Sequence, residues 1–355
     1  MRKTPLCEAQ QALGCKIVDF QGWAMPVQYE GILNEHHHTR TRVSVFDCSH
    51  MAEFQVEGQE AIEAYGRLVT NDISTLAVGR NRYGAFTTAE GGIIDDVITM
   101  RTAEDALYVV ANVSTSETIS SILTAISPDV RDVSDETAKI DVQGPEARDV
   151  LTQMGFSAAA ELRYFRNQWA TWDGYELLLS RTGYTGELGY ELFMPNEAAV
   201  PLWNALLEHE AVKPAGLGAR DTLRLEVGYP LSGQDFDSSR TPLEAHMDPF
   251  IAWNAEFPGK GVLEKQKADG GYQRLTAIET GDRRAPRPGY EIFDGNEQVG
   301  VVTSGAYGPS VGHGVGLAYL DPGYQEPGHR LTAGPRQLAI ETAQLPFYKK
   351  GTARK

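Results

Sequence analysis

Cysteine is scarce: Cys7, Cys15 and Cys48 are the only three in 355 residues, and none stands at CxxC spacing. Three thiols cannot all pair, so neither a disulfide scaffold nor a zinc ribbon organises this chain, and a reducing cytoplasm is the expected setting. No apolar run reaches the ~18 residues a membrane helix needs, and the opening MRKTPLCEAQQALG has no apolar stretch of signal length. Positive charge is in deficit, with 32 Lys+Arg against 48 Asp+Glu and a formal net charge of −16. That balance argues against nucleic acid, whose binding needs a basic face to replace phosphate counterions. A small anion held by one pocket arginine stays open. There is no low-complexity tract and no repeat of solenoid period. GxSxG and HExxH are missing, FPGK (257–260) lacks the upstream glycine of a P-loop, and GLGARD (216–221) lacks the third glycine of a dinucleotide fingerprint. A soluble, cytoplasmic protein is expected, with no membrane and no nucleic acid among its partners.

What is present is ordinary globular material. The 41% hydrophobic and 23% charged shares exclude general disorder, and 355 residues allow two or three domains. Thr4 as N-cap, Pro5 at the first position and Gly14 as the stop predict a short opening helix. A polar, histidine-rich helix is predicted over 30–42. Residues 51–137 form a compact α+β unit: a strand over 52–58, a helix over 59–68, strands over 95–102 and 106–113, and a helix over 117–126. A second α+β block opens at Lys139 with KIDVQG, followed by a helix over 145–154, strands near 175–180 and 190–194, and helices over 197–210 and 218–227. From Gln273 onward, short strands between Gly/Pro turns predict a small barrel or sandwich. Strands and helices mix without regular βαβ alternation, so the fold class is α+β.

Four stretches carry candidate chemistry. Glu35-His36-His37-His38 has three imidazoles on successive helical positions, which point too far apart to converge on one metal, so a helix surface with one packed histidine is expected. In GGIIDD (91–96), two carboxylates follow a buried apolar start. On a strand they face opposite ways, so one faces a cavity and the other turns away; aspartate is depleted in strands, which calls for a reason. RTGYTGELGYE (181–191) offers glycines for close backbone approach and tyrosines for stacking before an acidic strand start. GLGARDTLRLE (216–226) places Arg220, Asp221, Arg224 and Glu226 on one helix, where internal salt bridges are the plain expectation.

Taken in order, the segments resemble the aminomethyltransferase family, the T-protein of the glycine cleavage system. The likeness runs through TPL (4–6), VDFQGWAMPVQY (18–29), EHH (35–37), VFDCSHM (45–51), GGIIDD, QGPEA (143–147), SRTGYTGELGYEL (180–192), GLGARDTLRLE, GQDFD (233–237), PGYEI (288–292) and VTSG (302–305). The resemblance implies a three-domain cloverleaf around a central funnel that holds tetrahydrofolate. Domain 1 is then discontinuous, 1–50 plus 138–245; domain 2 is 51–137; domain 3 is 246–355 and ends in a β barrel. It implies that lipoylated H-protein presents an aminomethyl-lipoyl arm, that no metal is used, and that the chain works as a monomer. It makes Asp96 the catalytic acid and Glu191 and Arg220 the folate-holding pair. Met51, Tyr83 and Asn112 become pocket lining, and Arg287 a funnel-mouth arginine. Arg283 and Arg284 join Arg287 as the cluster expected to meet H-protein. A pterin presents two parallel donors that one carboxylate such as Glu191 accepts together; Arg220 either compensates that carboxylate or meets the folate's glutamate carboxylates. Two other readings share the scaffold: a folate-dependent demethylase of a small substrate, and a non-catalytic folate-binding protein. The latter's cysteine-bearing segment is replaced here by YPLSGQD (229–235).

Overall fold

The computed structural model describes residues 1–355. Four sheets and nine α-helices make it up. A two-stranded hairpin, Lys16–Phe20 with Trp23–Gln28, precedes the main body. A six-stranded sheet then runs, edge to edge, Asn167–Trp172, Tyr175–Ser180, Gly189–Pro195, Thr137–Gln143, Val43–Asp47 and Val212–Pro214. It takes strands from both sides of the 51–137 segment. Its far face supports the largest core, 25 residues including Ile140, Leu192, Trp203 and Leu206. Helix Asn196–Leu207 supplies Leu202, Trp203 and Leu206 at helical spacing, so one stripe of it is buried there.

Residues 52–132 form a five-stranded antiparallel sheet around Ile93–Ala103, whose 11 residues pair with Asn81–Thr87 on one side and Ala106–Ala111 on the other. The two sheets meet at a small apolar seam of Met100, Tyr108, Val110, Leu178 and Phe193, with Ile98 and Met51 packed against it. A Cβ on Gly92 would come within 2.0 Å of the Ser238 carbonyl oxygen, so only glycine lets the 238–240 segment lie on the start of the Asp95–Asp96 strand. The C-terminal strands Arg274–Glu279, His313–Leu320, Glu297–Gly308, Glu291–Asp294, Arg330–Ala333 and Leu338–Ala343 close into a barrel. The chain then returns beside helix Leu217–Glu226 and the loop before strand Gly189–Pro195: the Tyr348 N–H donates to the Glu226 carbonyl at 2.9 Å and the Thr352 N–H to Glu187 at 3.1 Å.

Several local expectations change. The opening helix is Cys7–Ala12, and Thr4 is no cap: its hydroxyl donates to the buried Asp47 at 2.6 Å. Asp47 needs those donors to offset its own burial, and that demand outweighs a helix end on the surface. The N-terminal hairpin, the strands Asn81–Thr87, Asn167–Trp172 and Arg330–Ala333, and helix Lys260–Asp269 had no clear periodic signal. The three imidazoles of helix Ile32–Thr41 do diverge: His36 is buried between Thr222 and Ser310, His37 is exposed, and His38 meets the Ala211 carbonyl. No helix is long and apolar enough to cross a membrane.

Candidate active site

The central strand Thr137–Gln143 sends Ala138, Ile140 and Val142 into the large core, so its alternation turns Lys139, Asp141 and Gln143 to the opposite face. Glu191, on Gly189–Pro195, stands opposite Asp141 in register. Arg220 reaches in from helix Leu217–Glu226 and donates to Asp141 Oδ2 at 2.7 Å. Lys139 Nζ donates to Asp141 Oδ1 at 2.7 Å and lies 3.4 Å from Glu191 Oε1. Thr182 donates to Glu191 Oε2 at 3.0 Å. Two cations and two carboxylates thus neutralise one another in a buried cluster.

The charges in this cluster shift each other. Burial opposes the Lys139 charge, yet Asp141 and Glu191 hold its proton affinity above that of an ordinary lysine. Burial also opposes ionisation of Asp141, and Lys139 and Arg220 override it, so Asp141 stays below the usual carboxylate range. Burial raises Glu191, with the Asp141 charge adding to it against Lys139 and Arg220. The sequence leaves Arg220 either compensating Glu191 or meeting the folate's glutamate carboxylates; in the structure it is committed to Asp141, and the ammonium nearest Glu191 belongs to Lys139. Beside them Glu53 is fully buried with no hydrogen-bond partner on either carboxylate oxygen. Burial pushes its proton affinity well above the ordinary carboxylate value, against the pull of Lys139.

Across the seam, Asp95 shares a face with Ile93, Val97 and Thr99 and is fully buried, while Asp96 shares the other with Ile94 and Ile98 and is half-buried. The alternation agrees with the sequence; the exclusion of one carboxylate from the site does not. Asn112 Nδ2 donates to Asp95 Oδ1 at 2.8 Å and to Asp96 Oδ1 at 2.7 Å, and its backbone N–H to Asp95 Oδ2 at 2.8 Å. Asn112 follows the strand Ala106–Ala111 where the chain leaves the sheet, so its amide is not bound to one face and spans both. Ser232 Oγ donates to Asp95 Oδ1 at 2.8 Å. Burial, then the neighbouring Asp95 charge, pushes the Asp96 carboxyl up to about 7, with Tyr83 and Asn112 favouring its ionised form.

Aromatic faces line the rest. Tyr83 packs edge-on to Phe250 with centroids 4.7 Å apart. The Arg220 guanidinium lies 5.1 Å from the Tyr184 ring centroid, and Tyr184 stacks on Tyr229 at 5.8 Å. Tyr229 in turn neighbours Tyr164, whose ring centroid is 5.9 Å from the Arg354 guanidinium. Met51 sits half-buried at the seam. In the barrel's 281–290 loop the three arginines differ: Arg284 is tied to Asp282, Arg283 lies 4.7 Å from the Tyr307 ring centroid, and Arg287 is exposed without an ion pair. Sequence reasoning missed Lys139, Asp141, Tyr229 and Arg354. The first two left a signal, because two charged residues inside the apolar run AKIDVQ are as anomalous for a strand as Asp95 and Asp96. Arg354 left none.

Comparison with known proteins gives a consistent result. The GCVT N-terminal domain matches residues 6–255, and the glycine cleavage T-protein C-terminal barrel domain matches residues 273–349. An aminomethyltransferase of Halothermothrix orenii is 40% identical over 98% of this chain and 100% of its own length. One from a Thermoanaerobacter species is 37% identical over 99% of this chain and 98% of its own. The crystal structure of the glycine cleavage system aminomethyltransferase T from Bartonella henselae superposes with a TM-score of 0.94 at 31% identity, covering 99% of both chains.

Proposed function

The chain belongs to the glycine cleavage T-protein (aminomethyltransferase) family, and on that premise we propose that it moves the methylene of an aminomethyl-lipoyl arm, carried by a lipoylated H-protein, onto tetrahydrofolate. One-carbon group transfer is its reaction class. The observation that supports the substrate pair is Tyr184, set between two unlike carboxylate sites: its ring centroid lies 5.1 Å from the Arg220 guanidinium of the Glu191 cluster, and the Asp96 charge acts on its hydroxyl.

Glu191 accepts the paired donors of the pterin edge, held in place by Thr182 and Lys139. Tyr184 and Tyr229 offer flat faces to the folate tail. With Arg220 bound to Asp141, the cation placed for the tail's carboxylates is Arg354 at the outer end of the tyrosine file. In the transfer the sulfur–methylene bond breaks and ammonia leaves, while the methylene becomes bonded to both N5 and N10 of the folate. The two N–H protons released go one to the lipoyl sulfur and one to ammonia, with no change of oxidation state. Asp96 takes the departing amine proton and stabilises the cationic carbon as it forms. Two neighbours equip it for this: Asn112 fixes its direction, and the Asp95 charge keeps its proton affinity near the working pH. The direct test is ammonia release from aminomethylated H-protein with tetrahydrofolate. Release no faster with this chain than without it overturns the reading.

Two further outcomes follow from the same geometry. The acid limb of kcat/KM is expected near pH 7, where Asp96 must lose its proton. Asp95→Asn removes the adjacent negative charge, makes Asp96 easier to ionise, and moves that limb to lower pH. A limb that stays in place in a pH–rate series would show that Asp96 does not titrate there. At the barrel loop, Arg287→Ala is expected to slow H-protein-dependent turnover roughly two- to fivefold at low salt, an effect that fades as salt is added. Arg284→Ala changes it less, because Asp282 already neutralises that guanidinium.

A further inference from the structure

The glycine-rich segment between strands Tyr175–Ser180 and Gly189–Pro195 carries two groups already placed at the folate: Thr182, which holds Glu191, and Tyr184. Its middle acid, Glu187, has no part in that reading, yet its side chain is only 1% exposed. A buried carboxylate needs donors, and those of Glu187 come from two distant parts of the chain. Arg40, on helix Ile32–Thr41, donates to Glu187 Oε1 at 2.9 Å and to the Thr185 carbonyl at 2.6 Å. The C-terminal segment beyond the barrel supplies the rest. Thr352 donates its N–H to Glu187 Oε2 at 3.1 Å and its hydroxyl to the same oxygen at 2.5 Å. That hydroxyl also accepts the Leu188 N–H at 2.8 Å.

The fit between the two segments is close. The Ala353 N–H donates to the Gly186 carbonyl at 3.2 Å, and a Cβ on Gly351 would come within 2.4 Å of that same oxygen, so only glycine lets the C-terminal segment lie there. Gly186 itself takes a φ of 78°, a conformation few other residues adopt. A glycine-rich backbone has many alternatives and gains its order from what holds it. Burial raises the proton affinity of Glu187, and the Thr352 hydroxyl is the strongest single contact against it. One hydroxyl thus joins the Glu187 carboxylate to the Leu188 backbone, directly before the strand that carries Glu191.

We propose that Thr352 is a positioning residue for the folate ring: through Glu187 and the Leu188 N–H it fixes the 182–188 segment, so that Tyr184 and the Thr182–Glu191 pair are in place before the ligand arrives. The inference rests on the folate reading above and extends it to a residue that touches no substrate. Ordering the segment in the free protein removes an entropic cost that binding would otherwise carry. Asp96 lies on the other sheet, so the effect belongs to folate affinity and leaves the transfer step alone.

The test uses Thr352→Val, which keeps the shape and loses the hydroxyl, and Thr352→Ser, which keeps the hydroxyl. Titration of 5-formyltetrahydrofolate into the full chain should give a Kd roughly three- to tenfold weaker for Thr352→Val, the scale of one net hydrogen bond, and within about twofold of the unaltered value for Thr352→Ser. The KM for tetrahydrofolate should rise in step in Thr352→Val, with kcat at saturating folate within about twofold. Amide exchange in the unaltered, folate-free chain should show residues 184–188 protected; free exchange there would overturn the proposal whether or not a variant folds. A lowered Tm in Thr352→Val with folate affinity unchanged would reduce the contact to a structural one, and equal losses in both variants would deny the hydroxyl its role. The loss should persist with 5-formyltetrahydropteroate, which has the same ring and no glutamate. A loss confined to the glutamate-bearing compound would place the effect at Arg354 and sink the inference. Failure of the unaltered chain to bind 5-formyltetrahydrofolate would strike instead at the folate reading.

Discussion

Asp96→Asn is expected to lower aminomethyl transfer by about 10²–10⁴-fold, the range of general acid–base help, while folate still binds. The replacement is nearly isosteric and keeps an oxygen for the Asn112 amide at the position now 2.7 Å away. It cannot take a proton, and it carries no charge to stabilise a cation. It also removes one of two adjacent carboxylates held by a single asparagine, so the fold should gain slightly if it changes at all. Turnover and folate Kd measured on the same preparation separate the two effects. If Asp95→Asn abolished turnover and Asp96→Asn did not, the catalytic assignment would be wrong by one strand face. The structure gives Asp95 a different part: fully buried, it accepts from Asn112 and Ser232 and acts on its neighbour through charge.

Glu191→Ala should weaken tetrahydrofolate binding by about 2–4 kcal/mol, roughly 30- to 1,000-fold in Kd, the cost of stripping one partner from a buried charged group. The pterin's paired donors lose their acceptor, and Lys139 keeps only Asp141 as a counter-charge. Glu191→Gln is the informative companion, because it retains an oxygen for Thr182 and sacrifices only the charge and half of the acceptor fork. A purely structural ion pair predicts a lowered Tm in both variants with folate affinity, scaled for the folded fraction, unchanged. Calorimetry returning the unaltered Kd for Glu191→Ala would remove Glu191 from the pterin site.

Side-chain direction was legible in the sequence wherever a regular backbone repeat ran, although the opening helix's cap was not, since Thr4 turns to the distant Asp47. Period-two alternation puts Asp95 and Asp96 on opposite faces, and the helical spacing of the 30–42 segment keeps its three imidazoles from converging. The motifs, taken in chain order, were enough to identify the family. Local pattern carries this much because side-chain direction follows from backbone repeat alone. It does not say which distant face a side chain meets, so the partners within the site were decided by tertiary structure. Arg220 and Asp141 are 79 positions apart, Ser232 and Asp95 are 137 apart, and Arg354 reaches Tyr164 only because the chain folds back from the barrel. Arg220 pairs with Asp141 rather than Glu191 because Asp141 is the fully buried carboxylate, where an unpaired charge costs most. Glu191, slightly more open, is left to Thr182 at 3.0 Å and Lys139 at 3.4 Å. The central strand's position between Val43–Asp47 and Gly189–Pro195 decides that Lys139 and Asp141 meet Glu191 and Arg220 at all, and that sheet order is a long-range outcome of burying Ile140 and Val142.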